Sequence, residues 1–197
     1  RANPIPDMHL QLFHKTNNLM LGLLSEYKIA RPATYTEGAG TPKPKYITKE
    51  TVSSFSLGGI MDYKKDLFNA KASVLYGQNL SELYIAGGYA TTSIDATTGH
   101  RTYSPSNSVS SWLNFTYGKK LIAGVFGGYH KNLGYHTPIL APTLDDDGVT
   151  IKTPTLFGRW QNVDHIYRAS TSLTYKIERW VFGAEVDYNV AAYGDVD

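Results

Sequence analysis

The feature that most constrains this chain is an alternation of apolar and polar residues at a period of two, clearest in the stretch WVFGAEVDYNV at 180–190. One phase contains Trp180, Phe182 and Tyr188, whereas the other contains Glu185 and Asp187. Successive side chains of a β-strand point to opposite faces, so this spacing predicts a strand with one apolar and one acidic face. The fold must therefore place two unlike faces against two unlike surroundings.

The same alternation recurs in eight segments along the chain, at 8–14, 19–29, 55–63, 70–89, 109–117, 121–133, 167–175 and 180–190. Short turns separate some of these segments, and long loops are expected at 30–49, 91–107 and 136–162. Short turns at one end and long loops at the other predict an all-β fold, an antiparallel up-and-down transmembrane β-barrel, with residues 1–197 as a single domain.

Two of the segments depart from the regular pattern. Segment 70–89 changes phase between Tyr76 and Leu83, which predicts a bulge or an irregular upper part. Segment 121–133 alternates poorly because it contains Gly124, Gly127 and Gly128, so the pattern alone does not set its facing.

Composition excludes several classes of protein. A net charge of +2 without a Lys/Arg cluster argues against nucleic acid as a partner, and the lack of cysteine excludes disulfides, thiolate zinc sites and Cys nucleophiles. No apolar run approaches the ~18 residues of a transmembrane helix, although barrel strands give a much weaker signal. Because no G-x-S-x-G or comparable arrangement is present, the sequence predicts neither an enzyme nor a cofactor.

Aromatic residues spaced by eight indicate which face meets lipid. Tyr167 and Tyr175 are one such pair, and Trp180 and Tyr188 are another. Eight residues at ~3.3 Å on a tilted strand cover roughly 20 Å of height, close to the ~25 Å apolar band between the aromatic girdles of membrane barrels. The alternative is a soluble β-sandwich or lipocalin-like barrel whose apolar face fills a core. The predicted lipid-interface aromatics are Tyr63, Tyr117, Tyr167, Tyr175, Trp180 and Tyr188.

The residues that alternate with the apolar positions are rich in Ser, Thr, Gly and Asn and carry charges of both signs. A channel lined by these residues should therefore not select strongly for ions of one charge. Arg168 and Lys176 share one face of a strand, and Glu185 and Asp187 lie on the next. These rows could set a transverse field across a lumen, or they could form ion pairs that stabilise the wall. The predicted lumen-facing residues are His9, Gln11, Glu26, Lys28, Asp62, Lys71, Arg168, Lys176, Glu185 and Asp187.

One acidic cluster is a candidate for calcium. Asp145, Asp146 and Asp147 precede Gly148 in a long loop, and clustered carboxylates before a glycine turn can hold Ca²⁺. No glutamate follows at the spacing of an EF-hand, which favours a solvated acidic loop instead.

Alternation and turn placement over most of the chain resemble those of Gram-negative outer-membrane β-barrel porins. The long Tyr-rich strands are similar to those of Bacteroidetes-type DcaP-like trimeric porins. The resemblance implies a bacterial outer-membrane location with the long loops extracellular, and passive diffusion of small hydrophilic solutes, often anionic, through a polar lumen. It also implies a homotrimer or a larger outer-membrane complex in the lipid bilayer. The alternatives are a non-channel barrel that acts as a scaffold or partner-binding subunit, and a soluble ligand-binding β protein.

Strand direction adds one expectation about size. Bacterial barrels have an even number of strands, with short turns in the periplasm. Both chain ends should therefore lie on the short-turn side. Here the first predicted strand runs into a short turn and the last runs out of one, which places both ends on the long-loop side. We therefore expect this chain to be part of a larger barrel.

Overall fold

The computed structural model describes residues 3–83, 85–144, 151–153, 155–160 and 162–194. Within these ranges the chain forms β-strands and one 3-10 turn (Leu80–Leu83), with no α-helix. In the same ranges, no helix is long and apolar enough to cross a membrane. The strands, numbered in chain order, are β1 (Met8–Lys15), β2 (Leu19–Ala30), β3 (Tyr35–Glu37), β4 (Lys45–Ile47), β5 (Val52–Lys65), β6 (Phe68–Gln78), β7 (Gly87–Ile94), β8 (Arg101–Gly118), β9 (Leu121–Tyr135), β10 (Thr143–Leu144), β11 (Ile151–Thr153), β12 (Leu156–Arg159), β13 (Val163–Ile177) and β14 (Trp180–Tyr193).

Ten of these strands form one antiparallel sheet, in which eight long strands lie side by side in the order β1-β2-β5-β6-β8-β9-β13-β14, while β7 and β12 lie off this path. Each long strand therefore lies beside the next long strand in the chain, which confirms the all-β, antiparallel, up-and-down organisation predicted from the alternation. Among the described residues, β1 pairs only with β2 and β14 only with β13. The closed barrel expected from the sequence is therefore not formed by these residues, and the sheet is open.

The turns at one end of the sheet are short because their residues accept unusual backbone angles. Asp66 (φ 52°) lies in the two-residue connection between β5 and β6, and Glu178 (φ 46°) in that between β13 and β14. The favoured two-residue hairpin turns need positive φ at the first of their two central residues, which is where Asp66 and Glu178 lie. These turns fix the registers of β5 with β6 and of β13 with β14.

The sheet has two chemically different faces, and the apolar one is the more exposed. We call the side bearing Leu113, Val125 and Val186 the apolar face; these residues are 50%, 51% and 76% exposed. The other side, the polar face, includes Ser54 and Ser108, each only 1% exposed. Soluble proteins show the opposite distribution, because they bury their apolar faces.

The buried apolar residues lie mainly at the long-loop end of the sheet rather than on the apolar face. There β7 pairs with the first part of β8, and β12 pairs with β7. The buried apolar side chains at this end are Val52, Leu80, Ala86, Tyr89, Ala90 and Val163.

The three predicted long loops contain more regular structure than expected. The loop at 91–107 is a correction, because β7 and β8 extend through most of it and leave only residues 95–100 as a turn. Backbone pairing between β7 and β8 extends through this segment despite its proline, because Pro105 lies in β8 opposite Tyr89. The segment 30–49 contains the β3–β4 hairpin, and 136–162 contains β10, β11 and β12.

Residues 79–83, here called the folded-over segment, lie across the polar face at the long-loop end. Lys28 on β2 donates a hydrogen bond from Nζ to the carbonyl oxygen of Asn79 at 2.7 Å and forms an ion pair with Glu82. A Cβ placed on Gly77 would lie 2.6 Å from Ser56 Cβ and 2.8 Å from Leu80 Cδ2. The segment therefore reaches from the end of β6 past β5 to β2, and it accounts for the phase change predicted in 70–89.

Candidate functional site on the polar face

Cross-strand pairing places all ten predicted lumen residues on the polar face. His9 lies opposite Glu26, and Glu26 lies opposite Ser56, whose hydroxyl donates to Glu26 Oε2 at 3.3 Å. The remaining predicted residues share the phase of this row on their own strands, as the registers show for Gln11, Lys28, Asp62, Lys71, Arg168, Lys176, Glu185 and Asp187. That this face lines a lumen stays a prediction.

The six predicted interface aromatics share the apolar face. Tyr63 lies opposite Leu19 and Ala70, and Tyr167 lies opposite Tyr129. The other four occupy the same phase on β8, β13 and β14, namely Tyr117, Tyr175, Trp180 and Tyr188. Trp180 and Tyr188 are 69% and 61% exposed. Their contact with lipid stays a prediction.

Nine aromatic residues on the apolar face lie in two parallel bands that run diagonally across the strands, whereas Phe115 and Phe182 lie between the bands. The lower band contains Trp180, Tyr175, Tyr117, Phe68 and Tyr63, and each has an apolar or aromatic counterpart eight residues away on its own strand. Those counterparts form the upper band and are Tyr188, Tyr167, Val109, Tyr76 and Phe55.

The slope of these bands follows from the strand registers. When the paired residue is followed from Tyr63 on β5 to each next strand in turn, the series ends at Val186 on β14, five strands away. Val186 lies six residues beyond Trp180, the band residue of β14. The band therefore shifts by six residues of about 3.3 Å along the strands while it crosses five strand spacings of about 4.8 Å. These two lengths give a slope of roughly 40° from the direction perpendicular to the strands. If the strands tilt by that angle, both bands become level. Transmembrane barrel strands tilt by ~35–45°.

The charged rows on β13 and β14 form direct ion pairs. Arg168 Nε donates to Asp187 Oδ1 at 2.9 Å, and Arg168 NH2 lies 3.4 Å from Glu185 Oε1. Asn189 also donates to Asp187, at 2.9 Å. Lys176 lies eight residues further along β13, opposite Val181. The sequence suggested either ion pairs that stabilise the sheet or a transverse field across a lumen. The contacts of Arg168 are those of ion pairs within the sheet. The transverse field stays a prediction.

A second ion pair lies on the polar face, on β5 and β6. Asp62 and Lys71 are opposite one another, with Lys71 Nζ 3.1 Å from Asp62 Oδ2. Both side chains are partly exposed, so this pair contributes at most about 1 kcal/mol to stability. Its main effect is to remove a free positive charge from this part of the face.

Sequence reasoning missed an aromatic platform on the polar face. Trp112 and Phe126 stack with ring centroids 6.2 Å apart and planes at 26°, and the Arg168 guanidinium lies 5.3 Å from the Phe126 ring centroid. Gly128 lies between Trp112 and Arg168 in the pairing row and leaves room for the ring, since a Cβ there would lie 3.2 Å from Phe126. The spacing of Phe126 and Gly128, two residues apart, places both on one face of β9 but does not show which face that is.

A groove of about 750 Å³ runs across six strands on the apolar face. Its walls are two rows of apolar-face positions, namely Leu21, Met61, Ala72, Leu113 and Gly127 on one side and Gly59, Val74, Ser111 and Tyr129 on the other. Small residues open this groove, and a Cβ on Gly127 would meet nothing within 4 Å. The groove therefore lies on the opposite side of the sheet from the platform.

The predicted calcium site cannot be placed in this fold. Asp145, Asp146 and Asp147 lie outside the described residues. In the described part of the chain, no group of three or more His, Asp or Glu side chains is arranged to hold a metal ion.

The geometry therefore centres on one face of an open antiparallel sheet, with three sets of ion pairs and an aromatic platform. The opposite face is apolar, exposed and crossed by two aromatic bands. Comparison with protein-family models, with curated proteins and with solved structures finds no match for this chain.

Proposed function

We propose that the eight long strands form part of the wall of an outer-membrane diffusion channel, with the apolar face against lipid and the polar face against an aqueous lumen. The observation that carries this proposal is the pair of aromatic bands. Their constant separation of eight residues, and a slope that strand tilt of roughly 40° would level, match the two interfaces of a bilayer.

The size of the exposed apolar face supports the same proposal. Five strand spacings of about 4.8 Å and eight residues of about 3.3 Å enclose roughly 630 Å² of sheet between the bands, and the exposed apolar side chains of β1 and β2, such as Leu10, Leu12 and Leu23, extend this surface. Soluble monomers rarely expose a continuous apolar patch above ~600 Å². Lipid chains would cover this surface without the cost of exposing it to water.

The polar face supports a channel that passes small hydrophilic solutes. Its glycines, serines and paired charges offer hydrogen-bonding groups without a strong net field, so uncharged solutes and ions of either sign would enter. The folded-over segment covers part of this face at the long-loop end and would narrow the entrance. We place that end at the cell surface, as in porins.

Single-channel recording of the full-length protein tests the channel. We expect discrete openings when the purified protein is added to planar bilayers in salt solution. A protein that folds and inserts but never opens would exclude the channel. Size-exclusion chromatography tests the lipid-facing assignment independently, because a protein that is monodisperse without detergent would contradict an apolar face in lipid.

A further inference from the structure

The short turns at one end of the sheet bring together positive charge that no run in the sequence shows. Residues 15–18, 64–67, 118–120 and 176–179, here called the short-turn rim, contain seven of the chain's 19 Lys and Arg residues but only two of its 17 Asp and Glu residues. The seven basic residues, all exposed, are Lys15, Lys64, Lys65, Lys119, Lys120, Lys176 and Arg179. We propose that this rim binds the anionic phosphate headgroups of the lipid leaflet at that end, an inference that rests on the proposed orientation of the sheet in the membrane.

Backbone hydrogen bonds between neighbouring turns hold these charges side by side. They run from Lys64 N–H to the Asn18 carbonyl oxygen at 2.8 Å, from Gly118 N–H to that of Leu67 at 3.0 Å, and from Lys176 N–H to that of Lys120 at 2.9 Å. Among the described residues, none of the seven basic side chains lies within ion-pair distance of a carboxylate. Like charges on adjoining turns repel one another, so bound anions would stabilise the rim.

The rim lies directly beyond the lower aromatic band. Lys65 is two residues beyond Tyr63 and opposite Phe68, so it lies on the apolar face. Arg179 directly precedes Trp180. Two residues of strand cover only about 7 Å, and long basic side chains can extend further toward water. Tyr and Trp rings suit the headgroup level, so the basic groups of the rim would meet the phosphates there.

The charge of the rim selects among lipid headgroups. Phosphatidylglycerol carries a net negative charge, whereas the choline cation of phosphatidylcholine offsets its phosphate. A Lys or Arg residue close to an anionic membrane surface strengthens the attraction about fivefold. We therefore expect phosphatidylglycerol to be enriched beside the rim.

Trp180 can report which lipid lies beside the rim in the full-length protein reconstituted into vesicles. In a Trp112→Phe, Trp160→Phe background it is the remaining tryptophan. The vesicles contain four parts phosphatidylcholine to one part phosphatidylglycerol, and bromine is carried either by the phosphatidylglycerol or by an equal amount of phosphatidylcholine. Brominated phosphatidylglycerol should quench Trp180 more strongly, corresponding to an affinity about fivefold higher than that for phosphatidylcholine.

Removing charge beside Trp180 should remove this preference. We expect nearly equal quenching by the two lipids in a protein that combines Lys119→Gln, Lys120→Gln and Arg179→Gln. The matched control removes the same charge from exposed positions at the long-loop end and should keep the preference; it combines Lys43→Gln, Lys45→Gln and Lys49→Gln. A preference that survives in the rim variant, or an equal loss in both variants, would overturn the proposal.

Salt tests the parent protein in case the rim variant does not fold. Raising NaCl from roughly 0.1 M to roughly 1 M shortens the Debye length from ~10 Å to ~3 Å, so the preference for phosphatidylglycerol should fall. An unchanged preference would contradict an electrostatic site. If inorganic phosphate abolished the preference where NaCl of equal ionic strength did not, the rim would be a site for a soluble anion instead.

Further outcomes separate the rim from the proposed channel. Equal quenching by both lipids in the parent would remove the headgroup proposal and leave the apolar face in lipid. Binding of poly-L-glutamate in that case would assign the rim to an acidic protein. Quenching by neither lipid would remove both proposals. A preference for phosphatidylglycerol in a protein that inserts but never opens would keep the rim and exclude the diffusion channel.

Discussion

At the scale of single residues, neighbouring positions on one strand face opposite environments. Thr171 on β13 lies four residues from both Tyr167 and Tyr175, midway between the aromatic bands on the apolar face. Ser172, the next residue, lies on the polar face opposite Glu185. Both sites lie in the same strand, so the same substitution at each should change strand propensity equally. Any difference between the two variants therefore reports which face the side chain is on.

Thr171→Arg should lower the free energy of unfolding by about 2–4 kcal/mol, because the proposed orientation of the sheet places the added charge at the membrane midplane. Ser172→Arg should cost less than about 1 kcal/mol, because its guanidinium can reach water and Glu185. Urea unfolding in lipid vesicles measures both. Equal losses at the two sites would contradict the assignment of the faces.

Asp95 gives a prediction about pH in the turn between β7 and β8. Its carboxylate Oδ1 accepts hydrogen bonds from the Thr98 backbone N–H at 2.7 Å, the Thr98 hydroxyl at 2.8 Å and the Thr97 backbone N–H at 3.0 Å. The Thr98 backbone bond is the largest cause that lowers the pKa of Asp95 below its ordinary value of 3.8. The stabilisation is therefore present above that ordinary value and is lost as the pH falls through the lowered one.

NMR titration of the Asp95 carboxyl carbon should give a midpoint below 3.8. Thr98→Val, which removes the hydroxyl donor and keeps the backbone donor, should raise that midpoint part of the way back. A midpoint at or above the ordinary value in the parent protein would mean that the turn does not hold the carboxylate in this geometry.

At the scale of elements, the folded-over segment depends on one lysine. Lys28 is 7% exposed and holds both the Asn79 carbonyl oxygen and the Glu82 carboxylate. Charge-assisted hydrogen bonds contribute ~1.5–3 kcal/mol each. The rest of the segment is held by Leu80, packed near Gly77 and Gly87.

Lys28→Met should therefore release the segment while the long strands stay paired. We expect amide hydrogen exchange at residues 79–83 to become roughly 10- to 100-fold faster, with little change in β9 or β13. Lys64→Met is the control, since Lys64 lies on the polar face at the short-turn end of β5. Unchanged exchange in Lys28→Met, or equal acceleration in both variants, would show that Lys28 does not anchor the segment.

At the scale of the whole molecule, the two aromatic bands predict a definite depth for each strand position in a bilayer. Trp180 belongs to the lower band, whereas Val125 on β9 lies four residues from both Leu121 and Tyr129 and so occupies the middle. Trp112, on the polar face, should not contact lipid chains.

Quenching by lipids brominated at different depths measures these positions. With Trp112 and Trp160 replaced by Phe, Trp180 should be quenched most by bromines near the headgroups. With Trp112, Trp160 and Trp180 replaced by Phe, Val125→Trp should be quenched most by bromines near the chain ends. Acrylamide in the aqueous phase, rather than any brominated lipid, should quench Trp112. A common depth profile for all three tryptophans would contradict the level bands.

Local pattern was sufficient to predict the eight long strands and, outside β9, their two faces, because side-chain direction alternates with a fixed period along any strand. The facing of Asp187 or Tyr188 needs no knowledge of the neighbouring strand. The folded-over segment could not be predicted in this way, because it depends on Lys28 reaching a residue that lies 51 positions later in the chain. The pattern showed only that the phase changes after Tyr76.

The platform was missed for a related reason. The glycines of β9 obscure its alternation, so neither Phe126 nor Gly128 could be assigned to a face from the sequence alone. Only the register with β8 and β13 shows that Phe126 fills the space above Gly128 and joins Trp112 to Arg168. Contacts across strands, rather than preferences within a strand, determine such a site.

The roughly 40° slope of the bands also sets how much perimeter the eight strands can supply. A strand tilted by that angle takes up about 6 Å of circumference, so eight strands account for roughly 50 Å. Closed on itself, that perimeter would form a ring about 16 Å across, which side chains fill; rings of 16–18 strands leave an aqueous channel. An open diffusion pore therefore needs a wall about twice as long as this arc, and the edges of β1 and β14, which have no second partner strand among the described residues, are where more wall could pair.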